Sequence, residues 1–160
     1  MNHNQWSERS DDALLDEWKR LTSAGVDAHR TRCAAHALAW HEQALRVAHE
    51  LLYSEEESNV SDDDRLAAFV IAHLNLAECF EALDQPTSAA ECLHCAHHRV
   101  SALMHNEDVS ESMRMAACKH IRYTFSALSD HHAAHREQAS SVDALYDLSA
   151  HASSHRSTLH

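Results

Sequence analysis

A chain with one glycine, Gly25, and one proline, Pro86, in 160 residues has almost none of the residues that tight turns are built from. A sheet of this length would need many reversals, so the scarcity argues for long helices joined by short polar links. Apolar residues recurring at steps of three and four support the same conclusion. The length suits one domain with its own core, taken as residues 10–150, with 1–9 and 151–160 expected to be disordered.

Charge removes several function classes. The formal net charge is −12, from 25 Asp and Glu against 13 Lys and Arg, and lysine occurs only at Lys19 and Lys119. Nucleic-acid binding needs a concentrated basic face, so no nucleic-acid partner is expected. No apolar run reaches the roughly 18 residues of a membrane span, and no membrane partner is expected. The start, MNHNQWSERSDD, has neither the basic nor the apolar region of a secretory signal. The cysteines, Cys33, Cys79, Cys92, Cys95 and Cys118, are odd in number and lie inside helical patterns. Reduced thiols in a cytoplasmic protein are the simplest reading. Histidine is the outlier: there are 17, enough to reverse the sign of the net charge if all were protonated.

Ser10 followed by Asp11 and Asp12 predicts a helix start, because the hydroxyl can cap and the acids suit the positive end of the macrodipole. Leu14, Trp18, Leu21, Gly25 and Ala28 then form one face, and the phase breaks at residues 30–32. Ala37, Trp40/His41, Ala44, Ala48 and Leu51/Leu52 form the next stripe, giving a first hairpin at 11–54. An acidic linker at 55–61 follows, with like charges that repel and no apolar face. Ser61 with Asp62, Asp63 and Asp64 repeats the start signal. A third helix carries Leu66, Val70, His73/Leu74, Ala77 and Phe80. Pro86 suits the first turn of a fourth, where its missing N–H is not needed, and Ala89, Leu93, Ala96, Val100 and Leu103 are its stripe. These two make a second hairpin at 62–105. Capping helices are expected at 109–150. Met113, Ala117, Ile121, Phe125 and Leu128 form one side, a thinner stripe follows through Ala134, Val142, Leu145 and Leu148, and Ser140-Ser141 is a potential break.

Residues 72–97, AHLNLAECFEALDQPTSAAECLHCAH, carry His73, Leu76-Ala77 and Phe80 before the turn and Ala89, Leu93 and Ala96 after it. This segment resembles a tetratricopeptide repeat, in which small residues let two antiparallel helices approach closely. Leu21, Ala24-Gly25, Ala28, Ala37, His41 and Ala44-Leu45 are a looser match. A third register through Cys118, Ile121-Arg122, Phe125 and Ala134 puts Arg122 at the small-residue site, which suits a wet capping helix. The chain also resembles small bacterial proteins built on this hairpin. The resemblance implies an all-α fold of stacked antiparallel helical hairpins, two repeats plus capping helices, acting as a protein-interaction module.

In that family peptides lie along the first helices of successive hairpins. Carried over, the groove would contain Lys19, Thr22, Ser23, His29 and Arg30, then Asn75, Glu78 and Glu81, then Lys119, His120 and Tyr123. Thr22 and Val26 replace the Lys and Asn of a carboxylate clamp, so a full clamp is not expected. A protein or peptide partner is expected, and self-association through the convex face or terminal helices is compatible with so short a groove. The alternative is that these are simply solvated helix positions.

Other chemistry is thinner. Cys92, His94, Cys95 and His98 concentrate metal-binding side chains, and a helix puts His94 and His98 on one face. A Cys-x-x-Cys inside a continuous helix does not form a zinc knuckle, however. The i,i+4 pairs His94/His98, His131/His135 and His151/His155 are few enough to arise from histidine content alone. A metal-binding helical protein using residues 92–98 is the alternative function, and no cofactor is expected. Cys118 with His120, or Cys33 with His36, lacks the glycine-rich turn of an oxyanion hole, so an enzyme is not expected. Buried His41 and His73 would resist charging, so acid should destabilise the fold.

Overall fold

Ser10 and Ser61 do start helices. In each the hydroxyl accepts the backbone N–H three residues on, at 3.3 Å from Ala13 and 3.1 Å from Asp64. The structure is a computed structural model describing residues 9–55 and 57–156, with side chains as far as Ser140. Five helices follow in order: α1 (Asp11–Arg30), α2 (Ala34–Leu52), α3 (Asp62–Ala82), α4 (Pro86–His105) and α5 (Glu111–Arg156). Among the described residues there is no strand, and no helix is long and apolar enough to cross a membrane. Residues 1–8 and 157–160 of the ends expected to be disordered lie outside the described residues.

The hairpin turns are made without glycine. Arg32 and Asp84, each just past a helix end, take the left-handed conformation at φ 59° and 56°. That conformation is disfavoured for side-chain-bearing residues by about 1–2 kcal/mol, and the helix-end carbonyls it satisfies offset this. Cys33 N–H donates to Ala28 O at 3.0 Å, and Gln85 N–H to Phe80 O at 2.8 Å, so the two turns close in the same way.

Short links make consecutive helices antiparallel, which leaves α1, α3 and α5 running the same way. Side-chain pairs agree: Asp11 at the start of α1 meets Arg65 near the start of α3, Asp63 meets Lys119, and Glu81 meets His131 farther along both helices. The three parallel helices therefore begin at one end of the molecule. Their first turns hold Asp11 and Asp12, then Asp62, Asp63 and Asp64, then Glu111, whereas the first turns of α2 and α4 hold no acid.

α3 is the central helix. Leu66, Ala68, Phe69, Val70, Ala72, His73, Leu76, Ala77 and Cys79 are all buried, so it is covered on nearly every side rather than along one stripe. One side joins Leu14, Leu21, Ala44 and Leu51 through Ala68 and Ala72. Another joins Val100, Leu103, Met113 and Ala117 through Leu66, Phe69 and Val70. In α4 the five spaced positions Ala89, Leu93, Ala96, Val100 and Leu103 are all buried. Gly25 of α1 faces the ring of buried His41 of α2, and a Cβ there would fall 2.6 Å from Nε2 and 2.7 Å from Nδ1. The single glycine thus marks a close approach of α1 and α2.

Two sequence expectations change. The 55–61 linker is not purely a solvated acidic stretch. Val60 is buried, and Ser58 donates 2.7 Å to the carboxylate of Asp11, itself fully buried and paired with Arg65. Arg65 also donates 2.7 Å to Leu51 O and 3.3 Å to Val60 O, so one guanidinium ties three segments together. Burial pushes the Asp11 carboxyl up, but hydrogen bonds from Ser54 and Ser58 and the Arg65 charge outweigh it and hold it below its ordinary value.

The capping region is one 46-residue helix, because nothing between 111 and 156 is a glycine or proline that would break it at Ser140-Ser141. Met113, Ala116, Ala117 and Thr124 form its buried face, and Phe125, placed by periodicity in the core, is 62% exposed. Thr124 won that position because its hydroxyl satisfies itself inside, donating 3.0 Å to Ile121 O and accepting from His97 Nδ1 at 3.0 Å. The later stripe Val142, Leu145 and Leu148 lies outside the residues whose side chains are described.

The buried histidines set a pH dependence. Burial pushes the imidazoles of His41, His49 and His73 below the ordinary value, with help from His29, Arg99 and His49 respectively. A 2.9 Å hydrogen bond from His73 Nδ1–H to Phe69 O works the other way without reversing it. The unfolded chain therefore takes up protons first as pH falls through about 6.5. Stability is expected to be full above that value and to decline as pH drops toward the folded values. Urea unfolding from about pH 8 to about pH 5 checks this, and a midpoint constant across that range would contradict it.

Candidate functional site

The groove residues read from the sequence separate into groups. On α1, Lys19 sits 4.0 Å from Asp16 of its own helix, while Ser23, His29 and Arg30 are exposed; Thr22 is half-buried. On α5, Lys119 Nζ lies 2.7 Å and His120 Nε2 3.1 Å from the two oxygens of Asp63. Lys119's hydrogen bond, with His120 adding to it, holds the Asp63 carboxyl below its ordinary value against partial burial. Tyr123 beside them is half exposed, with the Arg122 guanidinium 4.8 Å from its ring centre. Lys119 is thus engaged by an acid of its own chain rather than presented bare to an acidic peptide.

Asn75, Glu78 and Glu81 follow one another along α3, and the last two line a cleft of about 360 Å³ between α3, α4 and α5. Its apolar lining is Leu74, Ala77, Leu93, Ala127 and Ala134. The cleft exists because small side chains, Ala77 on α3 and Ala127 and Ala134 on α5, leave space over Leu93 where larger ones would close it. His131, His135 and Gln138 of α5 complete the lining.

At this cleft the carboxylate oxygen Oε1 of Glu81 lies 2.6 Å from His131 Nδ1 and 3.0 Å from His135 Nε2. The imidazole rings are 4.3 Å apart between centres, as an i,i+4 pair on one helix face allows. Burial pushes the Glu81 carboxyl up, and the hydrogen bonds and charges of His135 and His131 overcome this and hold it low. Sequence reasoning placed Glu81 in the groove but set His131/His135 aside as a chance pair. The signal that would have found them is the parallel course of α3 and α5, which brings the end of one beside the middle of the other.

The cysteine–histidine stretch on α4 does not converge in the same way. Cys92 is half-buried, with its thiol pushed up to about 11 by burial and by the neighbouring Cys95 and Glu91, so it resists becoming the thiolate a metal needs. Cys95, His94 and His98 are exposed, and His94 instead lies against His132 of α5 with ring centres 5.3 Å apart. Among the described residues, Glu81, His131 and His135 are the group whose donor atoms all fall within 4.8 Å of one another.

Residues 16–158 match the profile of DUF2753, a family described as proteins of unknown function. The chain belongs to the DUF2753 family. The matched span includes all of α2 to α5, and so every residue of the cleft. No curated protein and no solved structure matches the chain.

Proposed function

We propose that this DUF2753 protein is a non-catalytic interaction module of tetratricopeptide-like build, and that it holds a partner's peptide or helix in the cleft between α3, α4 and α5. The observation that carries the reading is the cleft itself. Its apolar wall is large enough for one or two bulky side chains, and exposed polar groups, Glu78 and Gln138, stand where they can orient a backbone. Two further features support it: α5 runs parallel to α3, the first helix of the second hairpin, and the cleft lies between them with α4 behind.

The occupant this lining suits is a segment with an apolar anchor. It differs from the acidic peptide that two free lysines would attract, since Lys119 is bound to Asp63. Replacing exposed Ala134 by tryptophan fills the cleft from its edge without entering the core. Partners recovered by crosslinking from cells should be lost with A134W and retained with Lys19→Glu, whose side chain is remote from the cleft. Equal recovery by both variants would refute the cleft as the docking site.

A further inference from the structure

We infer that Glu81, His131 and His135 form a binding site for one zinc ion, a site bridging α3 and α5 at the cleft. It does not rest on what occupies the cleft. Two imidazole nitrogens and one carboxylate oxygen, contributed by helices far apart in sequence, lie within 4.8 Å of one another. A tetrahedral zinc with bonds of about 2.0–2.1 Å needs its ligand atoms about 3.3 Å apart. The contacts of 2.6 Å and 3.0 Å to Glu81 Oε1 are a little shorter, so a cation moves that oxygen away from each nitrogen by less than an ångström, and the two nitrogens start no more than 4.8 Å apart.

The donor types select the metal class. Two nitrogens and one carboxylate oxygen favour zinc and its first-row neighbours over calcium or magnesium, which take oxygen-rich sets. Access and rigidity are divided among the ligands: the side chains of His131, His135 and Glu81 are 8%, 28% and 41% exposed. His131 is therefore held by packing, while Glu81 and His135 leave an approach from solvent. Three protein ligands leave a fourth position for water. The ion would fasten the capping helix to the central one along an edge otherwise held by small residues.

With 17 histidines, weak surface binding is the competing account, and the test must separate the two. Full-length protein carrying no affinity tag is stripped with chelator and titrated with zinc chloride against a chromogenic competitor. Cobalt(II) is then substituted to read coordination from its visible bands. One tight equivalent is expected, with the intense absorption of four-coordinate cobalt and a raised Tm. His131→Ala, His135→Ala and Glu81→Gln should each weaken that equivalent at least tenfold. The double variant His94→Ala/His98→Ala should leave it unchanged, and far-UV circular dichroism should show the same helix content throughout. Zinc binding that survives His131→Ala/His135→Ala, or falls equally with the 94/98 variant, overturns the site.

Discussion

Replacing Arg65 by methionine is expected to lower the unfolding free energy by about 3–5 kcal/mol, because it strands a buried carboxylate. Asp11 is fully buried and Arg65 nearly so. Without the guanidinium, Asp11 keeps only its serine partners, and the carbonyls of Leu51 and Val60 lose their donor as well. The loss should appear in urea unfolding as a lower midpoint at unchanged slope. Joint replacement, Asp11→Leu with Arg65→Met, removes both charges and should recover most of the loss. Since Asp11 is held below its ordinary value, its own contribution is present at neutral pH and disappears as acid protonates it below about pH 4. An Arg65→Met protein within about 0.5 kcal/mol of the parent would show that the pair does not anchor the linker.

Gly25→Ala is expected to destabilise by about 1–3 kcal/mol, the opposite of the usual effect in a helix interior. Alanine there would ordinarily gain about 0.5–1 kcal/mol, since glycine loses more backbone freedom on folding. Here the added methyl meets the His41 ring, which is 2% exposed and would have to shift within the core. The double variant Gly25→Ala/His41→Ala discriminates: once the ring is gone, the alanine at 25 should become neutral or favourable. If Gly25→Ala destabilises equally in both backgrounds, the close approach is not its cause.

These two sites show what the sequence made legible. Gly25 stood out as the only glycine, and its spacing put it on the face shared with His41, so the close approach could be read from pattern. The starts at Ser10 and Ser61, the proline-led α4 and its five-residue stripe were equally local signals. The Asp11–Arg65 pair left no such trace. In the first turn of a helix Asp11 looks like a solvated, dipole-favoured acid, and its partner is 54 residues away. Glu81, His131 and His135 were hidden differently: among 17 histidines an i,i+4 pair carries little information until a second helix brings a carboxylate to it. Phe125 was misplaced because period alone cannot tell which of two neighbouring helix faces packs, and the polar Thr124 took the inside.

The shared origin of α1, α3 and α5 has a consequence for how other molecules meet this protein. Three helix starts lie at one end, and six acids occupy their first turns, with Glu55 and Glu57 of the linker beside them. On a chain of net charge −12 that end gathers acids, two of which, Asp11 and Asp63, are paired with Arg65 and Lys119. Diffusing cations and basic surfaces will be drawn toward the remaining acids before any specific contact forms, and added salt will slow their arrival.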